Sequence, residues 1–177
     1  SIMDDQFYTH RAKSAIFALP KILLPKIVKE TSNRVEPYLK KFEYAPWLVA
    51  NLYVKHPPAD KPLSWDNIYY QHLNSPKNWS LGYILANYQN QRLTNKESEA
   101  TVITVYIPML QRGIDKERDD LWMYTWEYWA KRIVRDLSYM HPDISNLIER
   151  MDINQMGHAM IRPIPGYIWG EERQKLK

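Results

Sequence analysis

The sequence predicts an α+β fold, a mixed or antiparallel sheet with its helices segregated to one side. Two observations predict it. Strand-like segments follow one another between residues 44 and 107 through turn-rich connections, and strands joined by short turns are not parallel. After residue 114 the apolar period changes from two to three and four, which gathers the main helices into one stretch of chain.

Ala15 to Leu19 is a short apolar run closed by Pro20, as suits a buried strand turning away from its sheet. Lys21 to Glu30 then reads as a short helix that begins near Pro25, because proline is tolerated only in a helix's first turn. Tyr44 to Val54 alternates Trp47, Val49, Asn51 and Tyr53 against Leu48, Ala50, Leu52 and Val54, a strand covered on both sides. The three prolines between Lys55 and Pro62 keep that segment out of any ladder. Trp65 to Gln71 and Leu81 to Gln89 read as strands joined by the turn-rich Asn74 to Asn78. Thr101 to Ile107 is a further strand.

From Asp115 to Met140 the residues Trp122, Trp126, Trp129, Ile133, Leu137 and Met140 recur at helical spacing, and Asp115, Glu117, Asp119 and Asp120 complement the dipole of the first turns. A single long helix is expected, its tryptophans packed in the core. His141 and Pro142 stop it, and Pro142 with Asp143 starts a second helix whose buried face is Ile144, Leu147, Ile148 and Met151. Gln155 to Ile164 alternates Met156, His158, Met160 and Arg162 against Gly157, Ala159 and Ile161, a last strand.

At 177 residues and 45% hydrophobic content, the chain carries enough apolar side chains for one sizeable core, so residues 1–177 read as a single domain. The 24 basic residues nearly balance the 20 acidic ones. Nucleic acid is therefore not an expected partner, and Lys21, Lys26, Lys29, Arg34, Lys40 and Lys41 read as a solvated helix face. Without cysteine there is no disulfide, thiolate metal site or cysteine nucleophile. The longest apolar runs are broken by Pro20, Lys21 and Pro25, so no membrane span is expected. The first residues, with Asp4 and Asp5, do not read as a signal peptide, and the cytoplasm is the default compartment.

The five glycines form no phosphate-binding loop, and the five histidines never stand at ligand spacing with a carboxylate, so no metal is expected. No serine stands in a nucleophile elbow. The more informative set is Trp47, Asn51, Trp65, Asn67, Tyr69 and Tyr83, because aromatic and amide side chains on neighbouring strands wall an apolar cavity and orient one polar group of a small-molecule substrate. Ordinary sheet packing explains any one of them as well. His158 and Arg162 share a strand side, where they face an anion or cofactor ring or else form a buried structural pair.

Several segments carry a resemblance. Ala12-Lys13-Ser14-Ala15-Ile16-Phe17-Ala18-Leu19-Pro20 resembles the strand of flavin amine oxidases that ends in alanine, any residue, proline before the chain enters the substrate region. Tyr44 to Leu52, Trp65-Asp66-Asn67, Ser80-Leu81-Gly82-Tyr83 and His158-Ala159-Met160-Ile161-Arg162-Pro163 resemble a bacterial branch of FAD-dependent oxidoreductases in the same group. The resemblance spans nearly the whole chain. It implies the substrate-binding domain of such an enzyme, lacking the segments that build the FAD-binding Rossmann fold. It further implies hydride transfer from substrate to FAD in the complete protein, cofactor-facing residues Met156, His158 and Gly166, and little FAD binding or activity by this chain alone. The Tyr44 to Val54 strand has no lysine where many amine oxidases place one, and Met156 stands where many relatives have tryptophan. The alternative is a non-catalytic domain whose aromatic sheet face holds a ligand or a protein. A homo-oligomer fits either reading, since a domain interface left without its partner favours self-association.

Overall fold

The computed structural model describes residues 2–3, 6–29, 38–39, 42–58, 64–68, 80–86 and 100–175. They form two compact units, Glu43–Arg162 and the combination of Ser1–Phe42 with Pro163–Lys177.

The larger unit is an α+β fold built on a five-stranded antiparallel sheet. Its strands are β3 (Tyr44–Val54), β4 (Asp66–Ile68), β5 (Gly82–Leu85), β6 (Thr101–Pro108) and β7 (Ile148–Ile161), in the order β4-β5-β6-β3-β7. Between β6 and β7 come helices α2 (Ile114–Met123), α3 (Trp126–Ser138) and the single turn α4 (Ile144–Leu147). Alternation along β3 assigns the two faces. Leu48, Ala50, Leu52 and Val54 are buried with Ile103, Val105 and Ile107 of β6, and against them lie Leu121, Trp129, Ile133, Leu137 and Ile144 from the helices. Trp47, Val49 and Asn51 on the opposite face are half-buried and Tyr53 is exposed. The sequence expects this strand to be covered on both sides; among the described residues the helices cover one.

Proline 46 interrupts the ladder between β3 and β7. Ala45 faces Met160 and Trp47 faces Met156, so three residues of β7, Gly157 to Ala159, stand opposite one. Arg118 of α2 fills the gap. Its Nε donates to the Gly157 carbonyl at 2.9 Å and its Nη2 to the Tyr44 carbonyl at 2.8 Å, while Nη1 holds Asp115 at 2.8 Å. Gly157 is buried here, and a Cβ on it stands 3.3 Å from the Trp122 ring. On the other side of β3, the Pro46 carbonyl accepts from the Met109 amide.

The expected helix from Asp115 to Met140 is two helices. Tyr124 and Thr125 are extended, and the Thr125 hydroxyl accepts from the Tyr128 amide as the N-cap of α3. Tyr124 stacks on Tyr128 at 4.0 Å and meets Trp129 edge-on. The break shifts the helical phase, so the tryptophan stripe divides: Trp129 is fully buried, whereas Trp122 is 60% and Trp126 49% exposed. The expected second helix is also shorter. It stops at Leu147, and β7 begins at Ile148, because Ile148 to Met156 pair with β3 from Val54 to Trp47 and the ladder outweighs a further helical turn. The strand ends at Ile161 rather than Ile164, after which the Arg162 amide donates to Glu43. Strands β4 and β5 lie within the segments expected at Trp65 to Gln71 and Leu81 to Gln89. Residues 69–71 of the first and 87–89 of the second fall outside the described residues.

The smaller unit contains the hairpin β1 (Ile2–Met3) and β2 (Gln6–Phe7), a 3₁₀ turn at Lys21–Leu23, α1 (Leu24–Ile27) with Pro25 in its first turn, and α5 (Glu171–Lys175). Among its described residues Phe42 and Leu39 are buried, and Tyr167 meets Phe42 edge-on at 4.9 Å. Ala15 to Leu19, expected as a buried strand, is neither paired nor buried among the described residues, since no strand lies beside it.

Arg118→Ala leaves two carbonyls in the β3–β7 gap without donors. It is expected to lower unfolding free energy by about 2 kcal/mol in urea denaturation, and Arg118→Lys to recover little, because a point ammonium does not reproduce the fork spanning two carbonyls. An Arg118→Ala protein as stable as wild type refutes this role.

Candidate functional site

Cross-strand register sorts the candidate residues into rows. One row runs Asp66, Ile84, Thr104, Asn51, Asp152 across the whole sheet on the face opposite the helices. The next row on this face carries Tyr106 opposite Val49, and the one after it carries Pro108, Trp47 and Met156. These side chains are linked. Thr104 donates to the Asn51 Oδ1 at 2.8 Å, which leaves the Asn51 amide nitrogen as a donor on the strand facing Asp152. Trp47 stacks on Tyr106 with rings 16° from parallel and centroids 6.3 Å apart, and the Tyr106 hydroxyl donates to Asp66 at 2.8 Å. Burial, then the hydrogen bond and charge of Asp66, push the Tyr106 phenol up to about 12, so it stays a neutral donor at physiological pH. At the far end Arg150 lies over the Tyr53 ring at 5.1 Å and pairs with Asp152 at 2.9 Å. The face is therefore an aromatic floor with amide, hydroxyl and carboxylate groups at fixed positions.

Of the six predicted substrate residues, Trp47 and Asn51 belong to this face and Met156 stands beside Trp47. Asn67 and Tyr83 pair with each other in the row of Val105 and Ala50, on the helix-covered face. Asn67 uses its amide to donate to the Ser64 carbonyl. Trp65 precedes β4, is 52% exposed, and offers its carbonyl to the Leu85 amide. Tyr69 lies outside the described residues. His158 projects from the bulge in β7, is exposed, and stands near the buried Tyr44 ring at 6.3 Å, while Arg162 lies past the strand end and pairs with Glu43. Gly166, with φ of +83°, lies in the smaller unit.

Sequence reasoning missed Tyr106, Thr104, Asp66 and Asp152. The alternation of Thr101 to Ile107 placed Thr104 and Tyr106 on one face; what it lacked was the register setting that face beside Asn51 and Trp47. It also missed the partner of Tyr83. The Tyr83 hydroxyl is 2.7 Å from the His141 Nε2, and the opposite side of the imidazole is hydrogen-bonded to the Pro58 carbonyl. Burial pushes the Tyr83 phenol up to about 12 and lowers the His141 pKa, the latter partly offset by that carbonyl. Tyrosine donating to a neutral imidazole satisfies both groups, so this pair ties β5 to the end of α3.

A second buried polar group lies at the start of α2, where Arg112 is held by Glu117 and Asp120. Glu117 is fully buried; Arg112 engages its Oε1, and its Oε2 has no partner among the described residues. Gly113 caps this helix, but Asp115 and Glu117 fill its first turn and oppose a phosphate there. Among the described residues no group of three or more His, Asp or Glu is arranged to hold a metal ion, and no helix is long and apolar enough to cross a membrane. For a flavin, Trp47 and Tyr106 supply ring surfaces on this face, whereas among the described residues no glycine-rich helix entry fits the diphosphate. Neither a protein-family model nor a curated protein matches this chain.

An unfolded histidine, with a pKa near 6.5, takes up a proton more readily than His141. The stability contributed by neutral His141 is complete above that pH and declines as pH falls through about 6.5 and below. Wild type should therefore lose stability relative to His141→Asn between pH 7.5 and 5; parallel denaturation midpoints across that range count against the assignment. Tyr83→Phe should cost about 1 kcal/mol at pH 7.5.

Proposed function

We propose that this chain is the substrate-side region of a FAD-dependent oxidoreductase resembling flavin amine oxidases, with the sheet face opposite the helices turned to the reacting centre. The observation that carries this reading is the convergence of Trp47, Asn51, Thr104, Tyr106 and Met156 on a face opposite the helix-filled core. Trp47 and Tyr106 offer a flat apolar floor to a small molecule, Asn51 and the Tyr106–Asp66 pair orient a polar group on it, and Met156 borders it. A flavin bound there supplies hydride acceptance, and the residues of the face position the substrate carbon and exclude water. Its partners in this reading are the FAD-binding segments and a small-molecule substrate.

FAD titration, followed by flavin fluorescence and absorbance, tests the proposal on this chain and on the gene product extended at both ends. Binding by the extended product alone is the expected result, with Trp47→Ala weakening it about tenfold. Binding by neither removes the flavin and leaves a non-catalytic ligand-binding face, which the same aromatic floor supports.

A further inference from the structure

Strand β7 closes one side of the sheet, and the register shows which of its backbone groups point away from β3. In an antiparallel ladder each residue turns its N–H and C=O to the same neighbour, and successive residues turn to opposite neighbours. The Met109 amide donates to the Pro46 carbonyl directly opposite it, so the even residues of β3 bond to β6 and the odd ones to β7. The bonds from the Lys55 amide to Leu147 and from the Arg162 amide to Glu43 agree. Arg150, Asp152, Asn154 and Met156, opposite the odd residues Tyr53, Asn51, Val49 and Trp47, therefore bond to β3. The N–H and C=O groups of Met151, Ile153 and Gln155 then point outward. Among the described residues no strand pairs with that edge.

The edge is regular where it is open. Arg150 to Met156 face β3 one to one between the irregularities next to Glu149 and at Gly157 to Ala159, and this stretch holds no proline or lysine of the kind that blunts an edge. The opposite edge, β4, has only three residues. The stretch is also complementary to itself. Its midpoint is Ile153, an outward residue, so a two-fold axis there sets Ile153 against Ile153 and Met151 against Gln155, each pair exchanging two backbone hydrogen bonds. On the face opposite the helices the same register sets Asp152 against Asn154, a carboxylate against an amide donor, and brings no like charges into opposition. A register in which Met151 opposes Ile153 sets Asp152 against Asp152 and is disfavoured. We propose that β7 pairs antiparallel with β7 of a second copy of this chain about an axis through Ile153, joining two five-stranded sheets into one. The pairing rests on backbone geometry and does not require a flavin.

Sedimentation equilibrium and residue-resolved amide exchange on this chain test it. A monomer–dimer equilibrium is expected, in which the amides of Met151, Ile153 and Gln155 exchange freely at concentrations where the chain is monomeric and at least about tenfold more slowly where it is dimeric. Asp152 and Asn154, bonded to β3, stay protected in both. A chain that stays monomeric throughout overturns the proposal, and so does a dimer whose three outward amides remain unprotected, which places the contact elsewhere. Slow exchange of the three in the monomer shows that the chain covers its own edge and overturns it as well. Asn154 is exposed, so its variants report the contact rather than the fold. Asn154→Asp, which sets carboxylates against each other on both sides of the axis, should weaken dimerisation about tenfold, and Asn154→Lys should match or tighten it. Equal dissociation constants for wild type and both variants refute the register through Ile153.

Discussion

The larger unit depends on β3 being paired along both edges in a fixed register. Alternation then has no freedom left: with Leu48 opposite Ile107 and Leu52 opposite Ile103 on the helix side, Trp47 and Asn51 must lie on the other. A slip of one residue would send tryptophan and asparagine into the core and leucines out of it. The register is also held at the place where it is weakest. Proline removes a donor at position 46, and a guanidinium from a neighbouring helix takes over two of the carbonyls around the gap. One cation thus joins helix, β3 and the edge strand β7 at the point where hydrogen-bonded pairing fails.

Much of this fold was legible in the sequence. The antiparallel sheet followed from turn-linked strands, and Tyr44 to Val54 and Thr101 to Ile107 announced themselves by β-branched alternation. Local pattern misled at two kinds of place. At Thr125 a single capping hydroxyl reset the helical phase, and a threonine inside an otherwise periodic run gives little warning of that. At Ile148 and Met151 the helical spacing was real, but the free edge of β3 offered a longer ladder, and tertiary pairing outweighed local preference.

The candidate site was legible by residue type more than by place. Among the aromatic and amide residues expected on strands, Trp47 and Asn51 share a face. Asn67 and Tyr83 fall on the other face because each pairs through β5 and β6 with the row of Ala50. Facing across several strands is a property of register, which no single strand encodes. His141 was equally hidden, since it stands 58 residues from Tyr83 and meets it only once α3 has packed on the sheet.

The order in which β3 finds its neighbours bears on how the protein is made. Ile103 and Thr101, the partners of Leu52 and Val54 on one edge, leave the ribosome before Met151 and Ile148, their partners on the other edge, which follow all the intervening helices. At ordinary synthesis rates that edge waits on the order of ten seconds. During that interval an apolar strand with an open edge is available to other nascent chains, so the long sequence separation that seals the sheet is also its period of greatest exposure to misassembly.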